Sequence, residues 1–214
     1  MGERKANKSG QDTRTRIIDA VLETVRAKGL VGTSARVIAS TGGFNQALVF
    51  YHFGSIDELL LAALERANER RIDRFRSQLD EVDDLPGLVN VAVAMRTDLA
   101  NSDFAAVTAI VAGWSATSDF GPRILEVLKP WDDLVAGALE RSFSGTALGP
   151  LVPTGDVAHA VSAMFLGLET LSRLEIDPRK TDGVYSSLAG SAALLAQMLP
   201  GPSDESDETP LDAK

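Results

Sequence analysis

The sequence predicts an all-α protein, and three observations carry that expectation. Apolar residues recur at i, i+3 and i+4 through most of the chain, and no stretch alternates apolar and polar residues as a half-buried strand would. Glycine, proline and capping residues then cut the periodic runs into helix-sized lengths. About nine helices are expected: a small N-terminal bundle of three, joined to a larger helical domain.

The elements follow in order. Ile17, Ile18, Val21, Leu22 and Val25 share one face of a first helix, with Asp12 or Thr13 as its start and Gly29 as its stop. A short second helix starts after Thr33 as N-cap and carries Val37, Ile38 and Ala39. Gly42 and Gly43 end it, since glycine adopts positive φ at little cost. Asn45 caps a third short helix running to about Tyr51, with Phe44, Val49 and Phe53 spaced to anchor it inward. Ser55 to Glu58 is a capping box, and Leu59, Leu60, Ala63, Leu64 and Ala67 follow on one face of a helix reaching about Leu79. Further helices are expected over 86–100, 103–117, 121–143, 154–174 and 182–198, with Pro130 kinking or splitting the third of these.

Composition removes several functions. The chain has 214 residues, no cysteine, and only His52 and His159 as imidazoles. Disulfide scaffolds, cysteine-ligated zinc and thiolate catalysis are excluded, and neither a metal site nor a cofactor is expected. No apolar run is long enough to span a membrane, and no apolar leader follows the charged start, so a soluble, cytoplasmic protein is expected. Phosphate loops, G-x-G-x-x-G and H-E-x-x-H are absent. Gly113-Trp114-Ser115 lacks the second glycine of a nucleophile elbow and lies in a helical stretch, so no enzyme is expected.

Charge is distributed unevenly. The net charge is -9, yet residues 1–56 hold eight basic and four acidic side chains, leaving -13 for the remainder. Residues 1–11, with Arg4, Lys5 and Lys8, read as a flexible basic arm, and 201–214 as a disordered acidic tail with almost no apolar content. Between them lie a DNA-binding domain over 12–54 and a second domain over 55–200, the two linked by the helix over 55–79. The basic surplus coincides with two short helices joined by a glycine turn behind an amphipathic helix, the arrangement of a helix-turn-helix module. Its second short helix offers Asn45, Gln46, Leu48, Tyr51 and His52 to a groove. Glutamine pairs with adenine, arginine with guanine, and leucine covers a thymine methyl.

Three segments resemble the TetR family of transcriptional regulators: Thr33-Ser-Ala-Arg-Val-Ile-Ala39, Gly43-Phe-Asn-Gln-Ala-Leu-Val-Phe-Tyr-His-Phe53 and Ser55-Ile-Asp-Glu-Leu59. The resemblance spans residues 12 to 64. It implies a homodimeric repressor that binds a palindromic DNA operator and is released by a small-molecule effector in a C-terminal ligand-binding and dimerisation domain. DNA contacts are implied at Thr33, Ser34, Arg36, Asn45, Gln46, Leu48, Tyr51 and His52. Arg36, Gln46 and Leu48 would read bases, and Thr33, Tyr51 and His52 would hold phosphates. Two positions depart from the family: Phe50 stands where a tyrosine is usual, and Ile56 where a phosphate-binding lysine is usual. The Ile56 departure supports the alternative of a helical protein-interaction adaptor without DNA binding.

The C-terminal half is less specific. Its aromatic and long apolar residues nominate Met95, Phe104, Trp114, Trp131 and Phe165 for a ligand cavity, with Arg96, Thr108 or Glu169 as polar partners. Small residues on two apolar helices nominate a four-helix dimer interface built on Ala160, Ala163, Met164, Gly167, Leu171, Ala189, Gly190 and Ala193.

Overall fold

The computed structural model describes residues 2–98, 103–114, 120–172 and 179–198. The acidic tail expected over 201–214 lies outside them. Among the described residues there are nine α-helices, one 3-10 turn and no strand. The buried side chains form one contiguous cluster running from α1 to α9.

Helix α1 (Gly2–Lys28) buries Ile17, Val21, Leu22 and Val25 on the expected face and stops at Gly29, whose φ is 70°. It begins earlier than expected. Residues 2–11 were expected as a flexible arm but continue the helix, in a segment free of proline whose Glu3, Arg4, Lys5, Ala6, Lys8 and Gln11 are good helix formers. Helix α2 (Ala35–Gly42) has Ser34 as its N-cap, its hydroxyl accepting from Val37 N at 3.4 Å. Thr33, the expected cap, instead donates to the Gly29 carbonyl at 2.8 Å and ties down the loop.

The two glycines after it have different duties. Gly43 takes φ 64° and caps α2 in the left-handed region. Gly42 is still helical, and a Cβ there would lie 2.1 Å from the Phe44 ring and 2.9 Å from Ala20 Cβ, so close packing of α2 on α1 requires it. The Thr24 and Thr41 hydroxyls, 3.1 Å apart, add a polar contact between the same two helices.

Helix α3 (Ala47–Phe53) starts one residue later than the cap rule suggests, with the Asn45 side chain accepting from Ala47 N at 2.9 Å. Val49 and Phe53 are buried and Phe44 packs on the core edge, as expected. Helix α4 (Ile56–Asp80) opens with the Ser55 hydroxyl accepting from Glu58 N at 3.1 Å. Both Glu58 carboxylate oxygens accept from Arg123, at 2.6 and 2.8 Å, so the capping glutamate reaches across to the C-terminal helices. Leu61 and Ala62 are buried along with the expected face, because α1, α3, α6 and α7 surround α4.

Helices α5 (Leu85–Asp98), α6 (Phe104–Trp114), α7 (Gly121–Phe143), α8 (Thr154–Ser172) and α9 (Arg179–Met198) fall close to the expected spans. Gly113 and Trp114 close α6 as helix, while Ser115 lies outside the described residues. Pro130 leaves α7 as one element. Proline has no N–H for the preceding turn, and in that turn the Val127 carbonyl accepts from the buried Asn68 amide of α4 at 2.7 Å. No single helix among the described residues is long and apolar enough to cross a membrane.

Candidate functional site

The Gly43 turn brings the outer faces of α2 and α3 onto one surface. Arg36, Ser40, Gly43, Asn45 and Gln46 border a shallow depression between the two helices. Ser34, Arg36, Asn45, Gln46 and Tyr51 are exposed, Tyr51 at 81 %, and Thr33, Leu48 and His52 are half-buried. Thr33, Ser34 and Asn45 already engage the backbone in loop and cap bonds. Arg36 and Gln46 make no side-chain hydrogen bond among the described residues, which leaves their donors and acceptors for a partner. Phe50, one of the two departures seen in the sequence, is a large apolar side chain of α3 that stands 51 % exposed.

Two arginines of α1 hold this surface in place. Arg14 donates to the His52 carbonyl at 3.4 Å and stacks 4.4 Å over the Phe53 ring, and Arg16 donates to the Gly42 carbonyl at 3.3 Å. Each cation sits at the carbonyl-rich end of a short helix, where the helix dipole favours positive charge. Part of the basic surplus in residues 1–56 is therefore structural. The contacts expected from Arg4, Lys5 and Lys8 concern side chains that lie outside what is described.

A cavity of about 710 Å³ opens between α4, α6, α7 and α8. Of the five residues nominated for a ligand, only Phe104 and Trp131 line it. Met95, Trp114 and Phe165 are core residues instead, Trp114 stacked on Phe120 at 4.7 Å and Phe165 edge-on to Phe104 and Tyr185. Their helical faces turn into the bundle, and aromatic identity does not distinguish a core from a pocket wall. The nominated polar partners are also engaged elsewhere. Buried Glu169 pairs with Arg96 at 3.2 Å and accepts from the Tyr185 hydroxyl at 3.4 Å, while Thr108 donates to the Ala105 carbonyl at 3.0 Å. Burial and the Glu169 charge push the Tyr185 phenol up, so it stays protonated.

The polar wall of the cavity comes from residues that sequence reasoning missed. Arg71 of α4 lies 4.0 Å over Trp131 and 5.6 Å from the Phe104 ring centre, with one guanidinium nitrogen donating to Asn68 Oδ1 at 2.8 Å. Burial pushes its pKa down to about 9, opposed by the Asp132 charge, so it remains a cation at neutral pH. Asp132 holds His159 Nδ1 at 2.9 Å through Oδ2. Three buried polar atoms on this wall have no hydrogen-bond partner among the described residues: Arg71 Nε, Asp132 Oδ1 and Ser162 Oγ.

Helices α8 and α9 also carry an apolar face that nothing among the described residues covers. Ala160, Gly167, Gly190 and Ala193 are exposed, as are Met164 (39 %) and Leu171 (55 %), and Ala189 is half-buried. Ala163, nominated with them, is exposed too but also borders the cavity beside Ser162. A Cβ built on Gly167 or Gly190 meets no atom of the described residues within 4 Å.

Residues 17–63 match the sequence model of bacterial regulatory proteins of the tetR family. Comparison with curated proteins finds no match. Among solved structures, a TetR-family transcriptional regulator from Cytophaga hutchinsonii is 17% identical with a TM-score of 0.71, covering 86% of this chain and 95% of that one. A putative TetR-family regulator from Rhodococcus sp. is 20% identical with a TM-score of 0.68, covering 85% and 96%. The regulator FadR from Bacillus subtilis, solved in complex with stearoyl-CoA, is 15% identical with a TM-score of 0.65, covering 82% and 95%. The N-terminal surface thus lies largely within the segment that matches the tetR-family model, and the helical architecture is similar to the fold of TetR-family transcriptional regulators.

Proposed function

We propose that the protein is a homodimeric repressor that binds a palindromic operator through α2 and α3 and is released by a small molecule in the α4–α8 cavity. The observation that carries DNA reading is the shared surface of Arg36, Asn45 and Gln46, with the Arg36 and Gln46 side chains unengaged. Arg36, Gln46 and Leu48 read base edges in this reading, and Thr33, Ser34, Asn45, Tyr51 and His52 position the protein on phosphates. Dimerisation uses the uncovered α8–α9 face, which places two reading heads at half-sites one helical turn or a multiple apart. Supporting release, the FadR structure holds stearoyl-CoA, and the cavity here lies within a size range suited to small molecules.

The Glu58–Arg123 pair supplies a route from cavity to DNA. Arg123 sits in the first turn of α7 beside the cavity-lining Pro122 and Ile124, and Glu58 sits in the first turn of α4, which packs on α3. A ligand that moves α7 shifts the reading heads only if it favours the displaced arrangement over the DNA-matched one. The test is titration of the protein with its own upstream DNA across a salt series. Affinity falls steeply as salt rises for a reader that neutralises phosphates; absence of binding to any genomic fragment at low salt refutes the reading.

A further inference from the structure

The cavity wall holds a cation and an anion that do not pair with each other. Arg71 and Asp132 both border the cavity, yet they are not in ion-pair contact, and each keeps one buried atom unbonded: a donor on Arg71 Nε and an acceptor on Asp132 Oδ1. Ser162 Oγ, able to donate or accept, is unbonded on the same wall. Arg71 donates to Asn68 through a terminal nitrogen, and Asp132 holds His159 through Oδ2. Lys129, which also borders the cavity, pairs with Asp133 at 2.6 Å. Leaving buried polar atoms unbonded is costly, and the remainder of the lining is mostly apolar and aromatic, with Trp131 and Phe104 flanking Arg71.

We propose that the cavity takes an apolar molecule with one uncharged head group that accepts a hydrogen bond from Arg71 Nε and donates one to Asp132 Oδ1, as a carboxamide or a hydroxy-carbonyl group does. A carboxylate head gains Arg71 but meets the Asp132 charge, and an ammonium head meets Arg71. A neutral donor–acceptor head satisfies both without adding charge beside two buried polar atoms. The inference deepens the ligand-responsive reading above and rests on it.

The test uses the full chain with Trp114→Phe, which leaves Trp131 as the sole tryptophan and places its fluorescence on the cavity wall. Nonanamide, nonanoate and nonylamine present one apolar frame with neutral, anionic and cationic heads. Nonanamide binds tightest, by about tenfold or more over either charged probe, with a change in Trp131 emission. Asp132→Asn turns the preference toward nonanoate, and Arg71→Met turns it toward nonylamine, in proteins whose circular dichroism shows intact folding. Ser162→Ala, a smaller change, weakens nonanamide while leaving the order of the three probes intact. Nonanoate or nonylamine binding as tightly as nonanamide overturns the head-group assignment while leaving the cavity as a ligand site. No response of Trp131 to any probe removes the cavity itself as a ligand site and, with it, the release part of the proposed function.

Discussion

Helices α2 and α3 and the α4–α8 cavity treat their polar groups in opposite ways. Around α2 and α3, Ser34, Asn45, Arg14 and Arg16 each satisfy a backbone group at a helix end, and the unengaged side chains, Arg36 and Gln46, stand in water. Around the cavity, unbonded donors and acceptors are buried, and on α8 and α9 apolar side chains are left in solvent. Adjacent residues of α4 show the contrast at its sharpest. Arg70 is bonded to Asp19 and, at 2.9 Å, to Asp103, tying α1 to the start of α6, while Arg71 faces the cavity with one nitrogen unmet. The first region is complete as a surface and offers contacts outward. The second leaves polar atoms unbonded and apolar side chains uncovered among the described residues.

The largest expected effect breaks the second region at its outer face. Met164→Glu places a charge on the uncovered stripe, where the side chain is already 39 % exposed, so the fold persists. Sedimentation is expected to move from dimer to monomer, and operator affinity to fall about 100-fold or more because the two heads no longer bind as one unit. A Met164→Glu protein that remains dimeric places the interface elsewhere.

Next in size is the reading face. Arg36→Ala is expected to cost about 1–3 kcal/mol at one base position per half-site, and His52→Ala to weaken binding evenly across sequences. Operator variants titrated against both proteins check the split; equal losses at every base position would move Arg36 from reading to phosphate contact.

A pair of glycine substitutions then sharpens the comparison between packed and uncovered surfaces. Gly42→Ala pushes a methyl into Phe44 and Ala20 and is expected to cost about 1–3 kcal/mol in urea unfolding. Gly167→Ala, made in the monomeric Met164→Glu background, meets no neighbour and is expected to gain up to about 1 kcal/mol from helix propensity. Similar costs at the two sites would mean that the α8 face is already packed within one chain.

The smallest effect on stability comes from the link between the regions. Glu58 and Arg123 are both near half-exposed, so Arg123→Gln should barely change unfolding. It should, however, uncouple ligand binding from DNA release, seen as operator complexes that persist at saturating ligand. Arg123 holds the Glu58 carboxyl below its ordinary range, chiefly by hydrogen bonding. The pair's contribution is therefore complete above the ordinary carboxylate range and is lost as pH falls through the lowered value. Any small difference in unfolding between the parent and Arg123→Gln should vanish in acid.

Legibility followed the range of the interactions. Helix starts from α4 to α8 were readable because periodicity and caps such as Ser55 act within one turn. The helix-turn-helix surface was readable because α2, the Gly43 turn and α3 are contiguous in sequence, so a short motif carries the whole geometry. Misreadings were local in the same sense: Ser34 displaced Thr33 as cap by one residue, since either side chain suits the role and only loop geometry selects. The cavity was not readable. Arg71, Asp132 and Ser162 come from three distant helices, and their meeting depends on which faces of α4, α7 and α8 turn toward one another. Met95, Trp114 and Phe165 were misplaced because burial in a core and burial in a pocket wall demand the same residue types.

By itself, then, the amino-acid sequence determined the helices, the helix-turn-helix surface and the segregation of charge, all set by neighbours within a few residues. Tertiary structure alone decided that Arg14 and Arg16 serve backbone carbonyls, that Glu58 reaches Arg123, and that Arg71 and Asp132 share a wall without pairing. Those outcomes depend on how helix faces pack across distances of 26 to 65 residues. The backbone of each helix satisfies itself whatever it packs against, so only the packed assembly determines which side-chain atoms are left without a partner.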